Sequence, residues 1–268
     1  MGADGQSATS KLEVILGREG VERLGGSTVM VLGLGGVGSN CVEALARGGV
    51  GRLVIVDHDI VQESNINRQA IAFRSTVGRK KTEVMQAMIA DINPWAEVAA
   101  HDMFVLSDNL AELFDAYRGE LDYVVDAIDT VSTKLALALL AQERGLRLIS
   151  SMGAANKLHP ECFRTADLYE TVNCPLCRIM RKEARKRGID RLRVLYSCEE
   201  PVKTESGEGS ERRDRSNLGT ASFVPPIMGQ MIAGEVIREL SGIGGGGEAK
   251  RNAMKLADSI KRTGGECR

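Results

Sequence analysis

The chain has 268 residues, with 35 Lys and Arg against 36 Asp and Glu, and its formal net charge is −1. This balance excludes an overall basic field of the kind that attracts nucleic acid, so any nucleic-acid surface has to be local. Hydrophobic residues make up 43% and charged residues 26%, which is typical of a globular protein with a sizeable core. No run of about 18 apolar residues occurs, and we therefore expect no membrane span.

The N-terminus and the cysteines indicate the compartment. The first ten residues, MGADGQSATS, are small and polar and lack the pattern of a signal peptide. In a chain of this size without such a signal, we expect reduced thiols rather than a disulfide framework, and a cytoplasmic location. The six cysteines are Cys41, Cys162, Cys174, Cys177, Cys198 and Cys267.

Apolar patterning predicts an alternation of helices and strands up to residue 151. A helical pattern over 12–25 precedes the β-branched run Thr28–Leu32, which leads directly into a glycine-rich stretch. The predicted elements that follow are helix 41–47, strand 52–56, helix 78–92, strand 97–102, helix 107–117, strand 123–127, helix 131–144 and strand 146–151. Near-continuous apolar strands separated by helices predict a Rossmann-like α/β fold, with a mostly parallel sheet and helices on both faces.

After residue 152 the rhythm changes, which predicts a smaller C-terminal α+β extension. The expected elements are strand 162–169, helix 175–187, strand 192–197 and helix 223–240. Residues 203–218 contain almost no apolar side chains and are predicted to form a mobile loop. We therefore expect one domain over 12–241. Its nucleotide-binding core covers about 27–151, its extension covers about 152–241, and disordered tails occupy 1–11 and 242–268.

Residues 33–38, GLGGVG, have the G-x-G-x-x-G spacing of a dinucleotide-binding loop. They lie between a predicted strand and a predicted helix, where glycines permit a tight turn and helix N–H groups face a phosphate. Asp57 ends the next strand, about 20 residues further on, where a carboxylate can accept a hydrogen bond from a ribose hydroxyl. NAD and ATP satisfy this pattern equally well.

The segment after Asp57 separates the two ligands. Residues 64–69 read SNINRQ and residues 77–81 read VGRKK. An Arg and a Lys are unfavourable beside a nicotinamide cation but suit a triphosphate that loses pyrophosphate. With these motifs the chain resembles the ubiquitin-activating-like adenylyltransferase superfamily.

The resemblance implies roles for individual residues. Arg68 and Lys81 would contact the phosphates, and Asn65 and Asn67 would position the phosphates and Arg68. Asp129, in the Asp126–Asp129 segment that ends the fourth strand, would hold Mg²⁺ and the nucleotide, with catalysis assigned to Arg68, Lys81 and Asp129. The implied ATP-binding set is Gly33, Gly35, Gly36, Gly38, Asp57, Asp59, Ser64, Asn65, Asn67, Arg68, Gln69, Lys81, Asp129 and Thr130.

Residues 151–201, together with 219–226, resemble one branch of this superfamily, the tRNA threonylcarbamoyladenosine dehydratases. The resemblance implies that ATP adenylates the carboxylate of the threonylcarbamoyl group on a tRNA adenosine, after which the group cyclises with net loss of water. Residues 178–193 carry eight Lys or Arg against two acidic residues, a local basic patch suited to tRNA. The candidate tRNA contacts are Arg178, Arg181, Lys182, Arg185 and Lys186.

The cysteines leave an alternative open within the superfamily. Activators of ubiquitin-like or sulfur-carrier proteins typically hold zinc with two C-x-x-C pairs, whereas this chain has one, Cys174 and Cys177. Four thiolates in register are needed for such a site, so we expect no zinc. An activator of a carrier protein, with a cysteine as acceptor, is the alternative. An NAD-dependent dehydrogenase and a non-catalytic nucleotide-binding scaffold rank below it.

The expected partner of the chain, besides tRNA, is a second copy of itself. Family members often carry an N-terminal arginine that reaches the partner subunit's site, but residues 1–17 contain none, and Lys11 is the basic candidate there. The resemblance still implies a homodimer. The sequence leaves open whether a monovalent cation binds and whether a sulfur-trafficking protein is a partner.

Overall fold

The structure is a computed structural model that describes residues 8–202 and 218–243. Most of the predicted tails (1–11 and 242–268) and of the predicted loop (203–218) lies outside these residues, namely 1–7, 203–217 and 244–268. No helix among the described residues is long and apolar enough to cross a membrane.

Seven strands and seven α-helices alternate through the described residues. The strands are β1 (Thr28–Leu32), β2 (Arg52–Asp57), β3 (Glu97–Asp102), β4 (Tyr123–Asp126), β5 (Leu148–Ser151), β6 (Phe163–Asp167) and β7 (Arg193–Ser197). The helices are α1 (Ser10–Gly25), α2 (Gly36–Arg47), α3 (Lys81–Ile92), α4 (Leu110–Asp115), α5 (Val131–Arg144), α6 (Pro175–Lys186) and α7 (Val224–Ser241).

All seven strands form one sheet in the order β3-β2-β1-β4-β5-β7-β6. Every neighbouring pair is parallel except β6 and β7. The predicted Rossmann-like fold is confirmed, and the two strands of the predicted C-terminal extension, β6 and β7, belong to the main sheet. β7 pairs with β5 through Ser150 and Val194, a contact between segments distant in sequence that local patterning cannot reveal.

Helices cover both faces because the buried strands are apolar on both sides. On one face, alternate strand residues such as Val31 and Ile55 pack against α1, α2, α3 and α7. On the other face, Met30 and Val54 pack against α4 and α5, while α6 covers β7. The central strands are therefore fully enclosed, and their ends are the places where a ligand can reach them.

Two helix boundaries differ from the sequence prediction in ways that matter for function. α2 begins at Gly36 rather than at residue 41, because the glycine loop itself forms the first helical turn. α1 begins at Ser10, inside the predicted N-terminal tail, and it is interrupted at Gly17, where φ is +70°. The α1 residues before Gly17 are therefore ordered as a separate short helical segment.

Candidate functional site

A cavity of about 660 Å³ lies at the carboxyl edge of the sheet. The sheet order places β1 beside β4, the point where the strand order reverses, and ligands of open α/β sheets bind at this switch point. Eleven residues of the predicted ATP-binding set line the cavity: Gly33, Gly35, Gly36, Asp57, Asp59, Asn65, Arg68, Gln69, Lys81, Asp129 and Thr130. The topology therefore brings most of the sequence-predicted residues into one site.

Three residues of the predicted set, Gly38, Ser64 and Asn67, do not line this cavity. A Cβ on Gly38 would lie 1.8 Å from the carbonyl oxygen of Gly33, so this glycine lets α2 pack against the end of β1. The carbonyl of Ser64 and the side-chain oxygen of Asn67 both accept hydrogen bonds from Arg68. These three residues therefore position the glycine loop and Arg68 rather than lining the cavity themselves.

The glycine loop presents backbone donors to the cavity. Gly35, which precedes α2, has no side-chain capping hydrogen bond, and Gly35, Gly36 and Val37 line the cavity. The first N–H groups of a helix have no partner within the helix and favour an anion. A Cβ on Gly36 would lie 2.8 Å from Cβ of Pro225 and 3.1 Å from Cγ of Arg68. A glycine is therefore required where Arg68 and α7 approach the loop.

Asp57 fixes the shape of the loop. Its Oδ2 accepts a hydrogen bond of 2.6 Å from the N–H of Leu34, and its Oδ1 accepts one of 2.8 Å from the N–H of Asp59. This buried carboxylate therefore holds the glycine loop against the end of β2, a role that the sequence does not indicate.

Lys81 is the first residue of α3 and its side chain is buried at the cavity. Its Nζ lies 2.8 Å from Oδ2 of Asp59 and 3.9 Å from Oδ1 of Asp57. Partial burial acts to raise the pKa of the Asp59 carboxyl, but the hydrogen bond and charge of Lys81, helped by His58, outweigh it, so that this pKa lies below its ordinary value. Lys81 is therefore a buried ammonium held by one strong carboxylate partner.

Arg68 is held by oxygen atoms that leave its charge uncompensated. Its Nη1 donates to the carbonyl of Ser64 at 2.9 Å and to Oδ1 of Asn67 at 2.7 Å. Over residues 8–202 and 218–243, no salt bridge joins Arg68 to a carboxylate. Its aliphatic part lies over Gly36. An uncompensated guanidinium beside helix N–H groups is a site for a phosphate.

Gln69 provides an independent indication of a ligand. Its side chain is buried at the cavity, and Oε1 is the one buried side-chain oxygen or nitrogen of the described residues without a hydrogen-bond partner. A buried polar atom of this kind costs about 1–3 kcal/mol when it has no partner. The neighbouring Asn65 is different, because its Oδ1 accepts the N–H of Gln62 at 3.1 Å. A nucleotide hydroxyl or amino group would satisfy Gln69.

Ser39 and Asn40, which sequence reasoning missed, join the glycine loop to the Arg68 segment. Asn40 donates to the carbonyls of Gly36 at 2.7 Å and Arg68 at 3.0 Å. Ser39 donates to the carbonyl of Gly35 and accepts the N–H of Ala70. The sequence did offer a signal for them, since both are polar residues in the first turns of a helix that packs on the core.

A buried ion pair forms part of the cavity floor. Asp126, which ends β4, accepts a hydrogen bond of 3.0 Å from Nζ of Lys134, and Nζ also donates to Oγ of Ser150 and the carbonyl of Ser151. The side chains of Asp126 and Lys134 are each 1% exposed. Lys134 was also missed, because the sequence gives no sign that an α5 lysine turns inward. All three of its donors are used within the protein.

Asp129 and Thr130, at the start of α5, lie at the rim of the cavity. Asp129 is exposed and accepts a hydrogen bond of 3.3 Å from Oγ1 of Thr130. In the described part of the chain, one group of three potential metal ligands occurs, Asp57, His58 and Asp59, and Asp129 is not in it. Exposed carboxylate oxygens facing a phosphate site are the donors that Mg²⁺ prefers, so Asp129 is chemically suited to the ion.

The basic helix α6 starts at the cavity, because Leu176 lines it. Not all of its predicted tRNA contacts face outward. Nη1 of Arg181 donates to the carbonyl and hydroxyl of Thr171, and the guanidinium of Arg185 lies 5.2 Å from the ring centre of Tyr169. Lys186 pairs with Glu183. Arg178 and Lys182 are exposed and form no salt bridge within the described ranges. Arg181 therefore has a structural role at Thr171, and its contact with tRNA stays a prediction.

Together the fold and the site define a class: a nucleotide-binding α/β protein with an anion site at the first β-α turn. The ThiF family model matches residues 7–268. The tRNA threonylcarbamoyladenosine dehydratase of Bacillus subtilis is 43% identical over 240 residues, which cover 86% of this chain and 93% of that protein. The chain belongs to the ThiF family.

Solved structures show the same relationship. The E. coli tRNA N6-threonylcarbamoyladenosine dehydratase in complex with ATP is similar with a TM-score of 0.78 and 28% identity, covering 88% of this chain and 95% of that one. Its complex with AMP gives a TM-score of 0.77 and 30% identity, with coverage of 87% and 94%. Nucleotide binding by these relatives agrees with the chemistry of the cavity.

Proposed function

We propose that the protein is an ATP-dependent tRNA threonylcarbamoyladenosine dehydratase. The observation that carries this proposal is the cavity at the switch point, where uncapped helix N–H groups and the uncompensated Arg68 face the same space. The relatives described above are named for this activity, and the chain matches nearly their whole length. The cavity supports a nucleotide, and the relatives support the tRNA substrate.

The reaction begins with a carboxylate of the substrate. One of its oxygens attacks the α-phosphorus of ATP, the bond to the bridging oxygen breaks, and pyrophosphate leaves with the negative charge. The carboxylate has then become an acyl-adenylate. A neighbouring group of the same modification attacks the activated carbonyl, AMP leaves, and the ring closes with net loss of water. The protein contributes charge stabilisation and positioning rather than a covalent nucleophile.

Each residue of the cavity would have its own role in stabilising charge or positioning the nucleotide. The N–H groups at the start of α2 and the guanidinium of Arg68 would stabilise the phosphate oxygens, with Gly36 closest to the α-phosphate. Asn67 holds Arg68 in place. Lys81 would exchange Asp59 for a phosphate when the nucleotide binds. Asp129 would hold Mg²⁺, and the ion would supply positive charge to the pyrophosphate side of the nucleotide.

The tRNA would reach the cavity along α6. Leu176 lies at the cavity wall, and the exposed Arg178 and Lys182 follow on the same helix. Basic side chains in this order suit a phosphate backbone that leads the modified adenosine to the ATP. A cytoplasmic location for the protein is part of this proposal, and a tRNA substrate agrees with it.

The functional unit would be a homodimer. The first segment of α1 exposes Val14 and Ile15 to 82% and 70%. Adjacent apolar side chains with this exposure are typical of an interaction surface. A second copy of the chain is the partner that the family relationship supports. Light scattering coupled to size-exclusion chromatography tests this, because Val14→Glu should yield a monomer, whereas a monomeric parent protein would contradict the proposal.

The decisive experiment is mass spectrometry of tRNA nucleosides after incubation with enzyme and Mg-ATP. We expect threonylcarbamoyladenosine to lose one water, and the reaction to require ATP. Arg68→Ala should abolish the conversion, since it removes the uncompensated guanidinium. Ile179→Ala, which truncates an exposed side chain of α6, is a matched control and should keep it. Unchanged nucleosides with folded, ATP-binding enzyme would contradict the assignment.

A further inference from the structure

Two cysteines at the start of α6 form a hydrogen-bonded pair that the adenylation chemistry does not use. Cys174 immediately precedes the helix, and Cys177 is its third residue. The Sγ of Cys174 accepts the backbone N–H of Cys177 at 3.4 Å and also accepts the thiol hydrogen of Cys177. Both side chains are buried in one apolar cluster. The fold therefore keeps the Sγ of Cys174 beside the backbone of Cys177 at the start of α6.

The surroundings make the two thiols chemically unequal. The hydrogen bond from the Cys177 thiol lowers the pKa of Cys174 most, and backbone N–H groups of Cys177, Gly153 and Leu176 lower it further, against the opposite effect of burial. The same thiol hydrogen bond raises the pKa of Cys177. By contrast, Cys41 is enclosed in the core, and burial alone raises its pKa. Cys174 is thus the nucleophile of the pair, because the thiolate is the reactive form of cysteine.

The pair lies directly behind the wall of the nucleotide cavity. Gly153 and Leu176 both line the cavity, and the backbone N–H groups of both lower the pKa of Cys174. Leu176 also lies between the two cysteines in the chain. A change in the bonding of Cys174 therefore acts on two residues that contact the space proposed for ATP and the substrate.

We propose that Cys174 and Cys177 are a reversible oxidation site, which a hydroperoxide converts into a disulfide that weakens binding in the adjoining cavity. The Cys174 thiolate attacks one peroxide oxygen, the O–O bond breaks, and hydroxide or alkoxide leaves, giving a sulfenic acid. The Cys177 sulfur then attacks Cys174, the S–O bond breaks, and the oxygen leaves as water with the Cys177 proton. Two thiol sulfurs are oxidised, the peroxide is reduced, and a dithiol reductant reverses the reaction.

The disulfide has a direct structural consequence. A sulfur–sulfur bond is about 2.05 Å long, so the two sulfur atoms must move closer than any hydrogen bond holds them. In the disulfide, the Sγ of Cys174 also becomes a weaker acceptor for the backbone N–H of Cys177, to which it is hydrogen-bonded in the reduced form. The first turn of α6 and the cavity wall must therefore adjust together. Cys174 is 5% exposed to solvent, which is enough access for hydrogen peroxide, a molecule close to water in size.

The test uses the full-length protein in reduced and hydrogen-peroxide-treated forms. Peptide mapping by mass spectrometry should find Cys174 and Cys177 joined, with the loss of two hydrogens, and Cys41 still reduced. Titration calorimetry with a non-hydrolysable ATP analogue should show an affinity lowered by about fivefold or more, the lower range of coupling between sites. A dithiol reductant should restore it.

Two variants separate the pair from general oxidation damage. Cys174→Ala removes the thiol that reacts with peroxide, so this variant should bind the analogue like the reduced parent protein and should lose sensitivity to peroxide, whereas Cys41→Ala should keep that sensitivity. Cys174 and Cys177 found as free thiols after treatment, or equal affinities in the two forms, would overturn the proposal. Because these measurements need no tRNA, they are independent of the proposed dehydratase activity, which the nucleoside assay tests in the reduced enzyme.

Discussion

The buried ion pair beneath the cavity yields a stability prediction that can be worked out from its contacts. Replacing Lys134 with methionine removes the ammonium but keeps a long, flexible side chain. Asp126 then remains buried at 1% exposure, with the hydroxyl of Ser150 and the N–H of Ile128 as its donors. Breaking a buried pair by removing one partner costs about 3–5 kcal/mol, because the other charge is left uncompensated. Lys134→Met should therefore be among the most destabilising substitutions at this site.

The expected loss is large enough to measure by calorimetry. For a domain of this size, 1 kcal/mol lowers the melting temperature by about 2–4 °C, so Lys134→Met should lower it by about 6–20 °C. The double variant Lys134→Met/Asp126→Asn removes both charges. If the losses of the two single variants were additive, the double variant would lose their sum. We expect it to lose about 0.5–3 kcal/mol less than that sum, the usual coupling of residues in contact. Additive losses would refute the coupled ion pair.

The same variants distinguish the two lysines of the cavity. Lys134 donates all its hydrogens to protein groups, and the double variant, where it folds, should bind an ATP analogue like the parent protein. Lys81→Met should instead lose affinity for the analogue. A double variant that folds but fails to bind ATP would show that Lys134 contacts the nucleotide, contrary to the geometry.

Three further predictions concern the loop, the basic helix and the carboxylate of the cavity. Gly36→Ala should weaken ATP binding and lower the melting temperature, since its Cβ would lie 2.8 Å from a proline carbon of α7; an unchanged affinity in calorimetry would contradict this. Lys182→Glu should raise the Kd for tRNA and reduce its salt dependence without affecting stability, whereas Arg181→Glu should also destabilise the protein, as filter binding and thermal melts would show. The folded-state pKa of Asp59 lies below its ordinary 3.8, so the stability from its pairing with Lys81 is present above that value and disappears as the pH falls through the lower folded pKa. Urea unfolding should therefore separate Asp59→Asn from the parent protein near neutral pH and show them converging under strong acid.

Local patterns were sufficient to predict the core of the fold and the region of the site. Apolar runs such as Thr28–Leu32 and Arg52–Asp57 have to be buried on both faces, and this requirement alone produces a covered parallel sheet. Because the carboxyl ends of parallel strands meet at one edge, the glycine loop, Asp57 and Asp129 were expected together. The structure places all three at the same cavity.

The features that escaped prediction depend on contacts between distant segments. Nothing within 193–197 shows that β7 pairs with β5, and so the C-terminal strands were assigned to an extension. A lysine within a helix is expected at the protein surface, and the burial of Lys134 is explained by its pairing with Asp126. The sequence shows the charge of Arg181 but not its hydrogen bond to Thr171, which joins α6 to a segment ten residues earlier.

The three cationic side chains of the cavity differ in the groups that neutralise their charge within the protein. This difference determines which of them can bind a phosphate. Lys134 is compensated by a fully buried carboxylate and Lys81 by the half-exposed Asp59, whereas Arg68 is held by neutral oxygens. A phosphate arriving from water therefore meets its strongest attraction at Arg68, directly over the glycine loop. Lys81 can follow, because its exposed partner regains hydration when released. Lys134 stays with Asp126, since separating them would strand a carboxylate in the core.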